Sequence, residues 1–304
     1  MKILFAIDGS RCSKKALDSI IKMKCPIGTE FKIITAVDFF LPQSAGLEIR
    51  ETELKAATNL VEAAAGKLKS AHPDVEVAAC VLEGHIVENI LHFSEEWPAD
   101  LIMVGSHGRT GLSELLLGSV SRAVLSNSHC AVRIVRQARD RDDTGNSMHV
   151  LVGLEESDHA RHLIDHLLRL PWSPDTRFNL VNVMPEVNKD VLFDPDVDIA
   201  TLVATRYDSI YEKRKSWLEG VADSLNKAFD QKVASAEVLI GDPRKVLLER
   251  AKNWPADLIV LGSHSRQGME KFFLGSVSEA VATHAPCSVE VTRIPAKVRQ
   301  KVKV

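Results

Sequence analysis

The sequence predicts two tandem α/β domains, each a doubly wound, five-stranded parallel sheet flanked by helices. Two observations predict it. The chain repeats itself, and within each repeat short apolar runs alternate with stretches of helical periodicity, the pattern of βαβ units that packs into a parallel sheet.

The repeat is clearest where Trp97–Arg136 is set beside Trp254–Arg293, in register and without a gap. Trp97-Pro98-Ala99-Asp100-Leu101-Ile102 meets Trp254-Pro255-Ala256-Asp257-Leu258-Ile259, and Leu117-Gly118-Ser119-Val120-Ser121 meets Leu274-Gly275-Ser276-Val277-Ser278. Roughly half of these forty positions are identical, too many for chance. The N-terminal ends match at a shorter offset, Ile3–Asp8 against Val150–Glu155, so the second copy carries about ten extra residues. They fall around Asp190–Ile199, an acidic, proline-bearing stretch that reads as a loop. Residues 1–138 and 148–294 are the expected domains. Gln137–Ser147 reads as a polar linker, and Pro295–Val304 as a basic, solvated tail.

Within the first copy, Ile3–Ile7 is an apolar run ending in Asp-Gly-Ser, a turn followed by a helix N-cap. Ser13–Lys24 has helical periodicity, and Phe31–Val37 is rich in β-formers. Leu47–Ser70 is a long Ala-rich helix with an outer charged face. Val75–Leu82 reads as a strand and Ile86–Glu96 as a helix. Leu101–Val104 is continuously apolar, as in a strand covered on both faces. Ser113–Ser126 reads as a helix and Ala131–Val135 as the final strand.

Composition narrows the function. The net charge is −3, which argues against a general nucleic-acid or membrane-surface binder. The five cysteines show no CxxC or zinc-like spacing and read as buried thiols in a reducing compartment. The N-terminal apolar run of five residues is too short for a signal peptide or a span, and no later run reaches membrane length. A soluble, cytoplasmic protein is expected.

In an open parallel sheet, ligands collect beyond the C-terminal ends of the strands. Asp8 ends the first strand, Ala36 and Val37 end the second, and Val104-Gly105-Ser106-His107-Gly108 ends the fourth. Glycines there let phosphates approach the backbone. Nine residues on, Gly118-Ser119-Val120-Ser121 opens or interrupts a helix whose N–H groups and hydroxyls suit phosphate oxygens. His107 and Arg109 are candidate charge-assisted donors. Spacing alone leaves a second reading open, a tight turn plus a small-residue helix contact at Gly118. The pattern is not a Walker loop, because GKS/GKT is absent.

Gly105-x2-Gly108-x9-Gly118-Ser119 resembles the G-x2-G-x9-G-[S/T] signature of universal stress proteins. Ala6-Ile7-Asp8-Gly9-Ser10 and Asp100-Leu101-Ile102 resemble the same family. The resemblance spans nearly the whole chain as two tandem domains. It implies an adenine nucleotide alpha hydrolase-like fold, and ATP binding, with or without Mg²⁺, in members that keep the glycines. It also implies pairing through the final strands, either within the chain (Ala131–Val135 with Ser288–Thr292) or as a homodimer. Carried over, Asp8 meets the adenosine half, the backbone at Ala36 and Val37 reads the adenine edge, and Val104, Gly105, His107, Gly108, Arg109, Gly118, Ser119, Val120 and Ser121 surround the phosphates.

The second copy replaces Gly108 by Ser265 and Asp8-Gly9 by Glu155-Glu156. Ser265 is expected to strain a position needing positive φ, and the glutamates to crowd the nucleoside and repel phosphate. One good ATP site, in the N-terminal copy, is therefore expected. His159, His162 and His166 share a helix face, either a metal site or a solvated surface, and the surface is the expectation. No base–nucleophile pair accompanies His107 or His264, and no water-positioning group is evident. Trp97 and Trp254 read as packing residues. The function classes are an ATP-binding stress or regulatory module, a slow ATPase or nucleotidyl-transfer enzyme, and a scaffold with a vestigial nucleotide site. The first is preferred, because no catalytic set is present.

Overall fold

The computed structural model describes residues 1–38, 47–108, 117–136, 148–170, 172–186, 199–263 and 274–294. The first copy runs β1 (Lys2–Ala6), α1 (Arg11–Lys22), β2 (Glu30–Val37), α2 (Leu47–Ala71), β3 (Glu76–Glu83), α3 (Ile86–Glu96), β4 (Leu101–Gly105), α4 (Ser119–Asn127) and β5 (Ala131–Val135). The second runs β6 (His149–Gly153), α5 (Asp158–Arg169), β7 (Arg177–Met184), α6 (Ile199–Phe229), β8 (Ala234–Ile240), α7 (Pro243–Asn253), β9 (Leu258–Gly262), α8 (Ser276–His284) and β10 (Ser288–Thr292).

Each copy is a parallel sheet of order 3-2-1-4-5, and the two fuse into one ten-stranded sheet, β3-β2-β1-β4-β5-β10-β9-β6-β7-β8. The junction is antiparallel, with Val289 opposite Ile134, Glu290 opposite Arg133 and Val291 opposite Val132. The intramolecular pairing of final strands is therefore observed. The alternative route, a homodimer through those strands, is not open in this arrangement: β5 is flanked by β4 and β10, and β10 by β5 and β9.

The central strands are buried on both faces. Leu101, Ile102, Met103 and Val104 are each 3% exposed or less, which explains their unbroken apolar run. One core cluster crosses the junction, joining Leu125, Val132 and Ile134 to Val281, Val289 and Val291. Two further clusters lie one per copy, against α1 and α2 in the first and α5 and α6 in the second. The Trp-Pro-Ala-Asp turns hold the N-terminal starts of the interior strands β1 and β6: Asp100 Oδ2 accepts from the Lys2 N–H at 2.7 Å and Asp257 Oδ2 from the His149 N–H at 2.8 Å. Trp97 lies under Lys2 and Lys32, and Trp254 stacks on His149, so both are packing residues as expected.

Most bounds lie within two residues of expectation, as in α1, which spans Arg11–Lys22 where Ser13–Lys24 was read, and the largest difference is in α4. The helix expected from Ser113 begins at Ser119. Gly118 is extended, with φ −63° and ψ 157°, and its N–H donates to the Ser106 carbonyl at 2.9 Å. That bond holds the chain out of helix until the next residue. Residues 113–116, the linker 137–147, most of the expected insertion loop (187–198) and the tail 295–304 lie outside the described residues.

Candidate functional site in the N-terminal domain

The β1–α1 turn organises the first copy. Gly9 has φ 76°, a left-handed conformation that favours glycine. Asp8 Oδ1 accepts from the Ser10 N–H at 3.0 Å, which fixes the carboxylate. The Ser10 hydroxyl caps α1 by accepting from the Ser13 N–H at 3.1 Å, and it donates to the His107 carbonyl at 3.3 Å. The turn after β1 is thus tied to the loop after β4.

Asp8 lines a cleft of about 260 Å³ with Thr35, Ala36, Val37, Asp38, Glu53, Ala56, Ala57 and Leu60. The glycine loop meets this cleft through Asp8, since a Cβ on Gly108 would lie 3.0 Å from Asp8 Oδ2. The expected site residues Asp8, Ala36, Val37 and Gly108 are therefore brought together. Glu53, Ala56, Ala57 and Leu60, all from α2, were missed. The signal they carried was slight, a pair of adjacent alanines of which Ala57 is buried and Ala56 exposed.

The phosphate side is more mixed. Gly118 is the N-cap of α4 and offers no side-chain cap, so the N–H groups of Ser119, Val120 and Ser121 open the helix without a side-chain acceptor at the cap. Ser119 is exposed. Ser121 is buried, and its hydroxyl donates to the Gly105 carbonyl at 2.6 Å. That corrects the expectation of a phosphate-donating hydroxyl at Ser121: its O–H holds the helix to β4. The side chain of Val104 is in the core. His107 Nδ1 sits 3.1 Å from Ser106 Oγ. Arg109 lies outside the described residues.

The glycines have packing reasons of their own. A Cβ on Gly105 would come within 3.2 Å of the Cys12 and Ser13 backbone, and one on Gly118 within 3.3 Å of the Ser106 carbonyl. The small-residue contact that spacing left open is thus real, and it coexists with an open helix N-terminus. Gly108 does not have positive φ. The strain expected at its counterpart Ser265 therefore has the wrong cause. A side chain at the Gly108 position would crowd the Asp8 carboxylate instead, and Ser265 and His264 themselves lie outside the described residues.

The sequence profile of the universal stress protein family matches residues 1–136 and 146–293. The chain belongs to this family. It is 35% identical to the universal stress protein YxiE of Bacillus subtilis over 147 residues, 44% of this chain and 98% of that one. It is 22% identical to the universal stress protein Mb2019 of Mycobacterium bovis over 96% of this chain and 95% of that one. The crystal structure of a universal stress protein from Archaeoglobus fulgidus shares the fold with a TM-score of 0.62 at 22% identity, covering 97% of both chains.

The second copy is built differently at the same place. Glu156 replaces Gly9 and does not adopt positive φ. Ser157, the counterpart of Ser10, makes no cap bond, and its buried hydroxyl has no hydrogen-bond partner among the described residues. The larger change is on α6. The 157-residue offset that matches the C-terminal halves also aligns buried Val61, Ala64 and Leu68 with buried Leu218, Val221 and Leu225. It sets Lys213, Arg214 and Trp217 where the first copy has Ala56, Ala57 and Leu60. Arg214 donates to Asn182 Oδ1 at 3.2 Å, and Lys213 lies 3.8 Å from Glu156. Long side chains cover the flank that the alanines leave open.

A cavity of about 190 Å³ remains on the other flank. Glu155, His159, Val183, Leu247, Gly262 and Gly275–Ser278 are among its lining. The glycine–serine turn of the second copy is therefore still accessible from a cavity. Among the histidines on α5, His159 lines it, and His166 bonds the buried Glu290, so the expected solvated face holds for neither. Among the described residues no cluster of three metal-ligating side chains occurs, and no helix is long and apolar enough to cross a membrane.

Proposed function

We propose that the protein is a regulatory universal stress protein that binds ATP, with or without Mg²⁺, in its N-terminal domain, and that the C-terminal domain serves mainly as its structural partner. The supporting observation is the pairing of Asp8 with an alanine-floored cleft in one copy, against Lys213 and Arg214 in the other. Asp8 would meet the ribose, the backbone at Ala36 and Val37 the adenine edge, and the first-turn N–H groups of α4 with Ser119 the phosphates. The bound nucleotide would bias one conformation or partner over another. Five free cysteines, two of them buried, suit a cytoplasmic setting.

The test is mass spectrometry of ligand released from the purified full-length protein, followed by titration of stripped protein with ATP. Co-purified adenine nucleotide, or saturable binding lost in Ala57→Arg, supports the reading. No nucleotide and no binding would favour a scaffold. Turnover above background, lost on Gly118→Ala, would favour an enzyme.

A further inference from the structure

Positions related by the repeat face each other across the β5–β10 junction, as a two-fold relation requires. Two such positions behave symmetrically. Arg136 donates to the Ala282 and Thr283 carbonyls at the end of α8, and Arg293 donates to the Leu125 and Ser126 carbonyls at the end of α4. Each arginine closes the C-terminus of the other copy's helix, where cations are favoured. These contacts would serve equally well between two identical domains.

Two other pairs break the symmetry. Arg133 and Glu290 are repeat counterparts, lie directly opposite in the strand register, and are joined by a hydrogen bond of 2.6 Å. They are 6% and 0% exposed. His166 on α5 binds the second oxygen of Glu290, and Met23 Sδ lies 3.3 Å from Arg133. Arg122 and Glu279 are also counterparts, joined at 3.0 Å between the starts of α4 and α8, with both side chains nearly half exposed. In both pairs the N-terminal copy carries the arginine and the C-terminal copy the glutamate.

We propose that these pairs give the interface an address: the final-strand face of the N-terminal domain accepts an acidic counterpart, that of the C-terminal domain a basic one, and each rejects a copy of itself. An N-terminal domain meeting its own copy in this geometry would set Arg133 against Arg133 inside the sheet and Arg122 against Arg122 above it. A C-terminal domain would bury two glutamates face to face. Like charges opposite one another are unfavourable on a sheet and more so where water is excluded. The partner this surface fits is the other domain of the same chain, and the arginine caps supply attraction without choosing between partners.

The experiment is a set of charge reversals in the full-length protein, read by melting temperature at low and high salt. R122Q removes an attraction, whereas R122E adds a repulsion, so R122E should melt below R122Q, and R122E/E279R should recover most of the loss. At the buried pair, R133E should lower the melting temperature on the order of 10 °C, and R133E/E290R should recover part of it, because His166 still faces position 290. At Arg122 and Glu279 the difference should shrink in 1 M salt. If R133E fails to fold, the half-exposed pair still decides the matter. Equal melting of R122E and R122Q, or a double reversal that merely sums its single losses, would overturn the proposal.

Discussion

The two copies share strand order and core, and differ where a ligand would sit. In the first, a positive-φ glycine lets Ser10 cap α1 and hold the His107 carbonyl, while Ala56 and Ala57 leave space beside Asp8. In the second, Glu156 occupies the glycine position, Ser157 makes no cap bond, and Lys213 and Arg214 extend from the helix where the alanines were. The duplicated fold constrains the sheet tightly and the strand-end surface loosely. One copy can therefore change its site while still completing the other's sheet.

The largest effect should come from the contact that joins the copies. Glu290→Gln leaves Arg133 buried without its counter-charge, at a cost of about 3–5 kcal/mol in urea unfolding. Burial raises the Glu290 pKa, but the charge of Arg133, the charge of His166 and their hydrogen bonds outweigh it and bring it from 4.5 down to about 2. A carboxyl with a depressed folded pKa gives stability that is present above the unfolded value and is lost as pH falls. Wild-type stability should therefore decline between about pH 4.5 and 2, and Glu290→Gln should lack that part of the decline.

Next come the symmetric caps. Arg136→Met and Arg293→Met should each cost about 1.5–3 kcal/mol by thermal unfolding. The two losses should be similar, because each arginine serves the same helix end in the opposite copy. A large inequality would show that the junction is less symmetric than its hydrogen bonds. The pocket comparison is sharpened by Ala57→Arg, which copies the second domain into the first. Overpacking of about 1–3 kcal/mol should weaken ATP binding roughly 5- to 150-fold in calorimetry. The smallest effect belongs to one exposed hydroxyl. Ser119→Ala should weaken ATP by roughly two- to tenfold, whereas Ser276→Ala should leave it unchanged.

Much of the fold was legible because it rests on periodicity. Ile86–Glu96 and Ala131–Val135 emerge at their expected bounds, and the repeat made both copies visible. Helix α4 was read too long because Leu116 and Leu117 continue an apolar pattern that the hydrogen bond from Gly118 to Ser106 interrupts, a contact between segments distant in sequence. At the site, Asp8, Ala36 and Gly108 followed from strand ends and the family signature. Ser121 was misjudged because its hydroxyl is committed to the Gly105 carbonyl, which spacing cannot reveal. Ala56 and Ala57 were missed because small residues on a helix read as packing. Their meaning emerges only beside Lys213 and Arg214. The Arg133–Glu290 and Arg122–Glu279 pairs sat within the aligned repeat. Both are positions where the copies differ, so the identities that define the repeat do not mark them.

Nucleotide binding should be asymmetric between the two copies. ATP titrated into the stripped full-length protein by calorimetry tests it most directly. One site per chain, abolished or strongly weakened by Ala57→Arg, is the predicted result. Two equivalent sites, or a single site indifferent to that substitution, would contradict it.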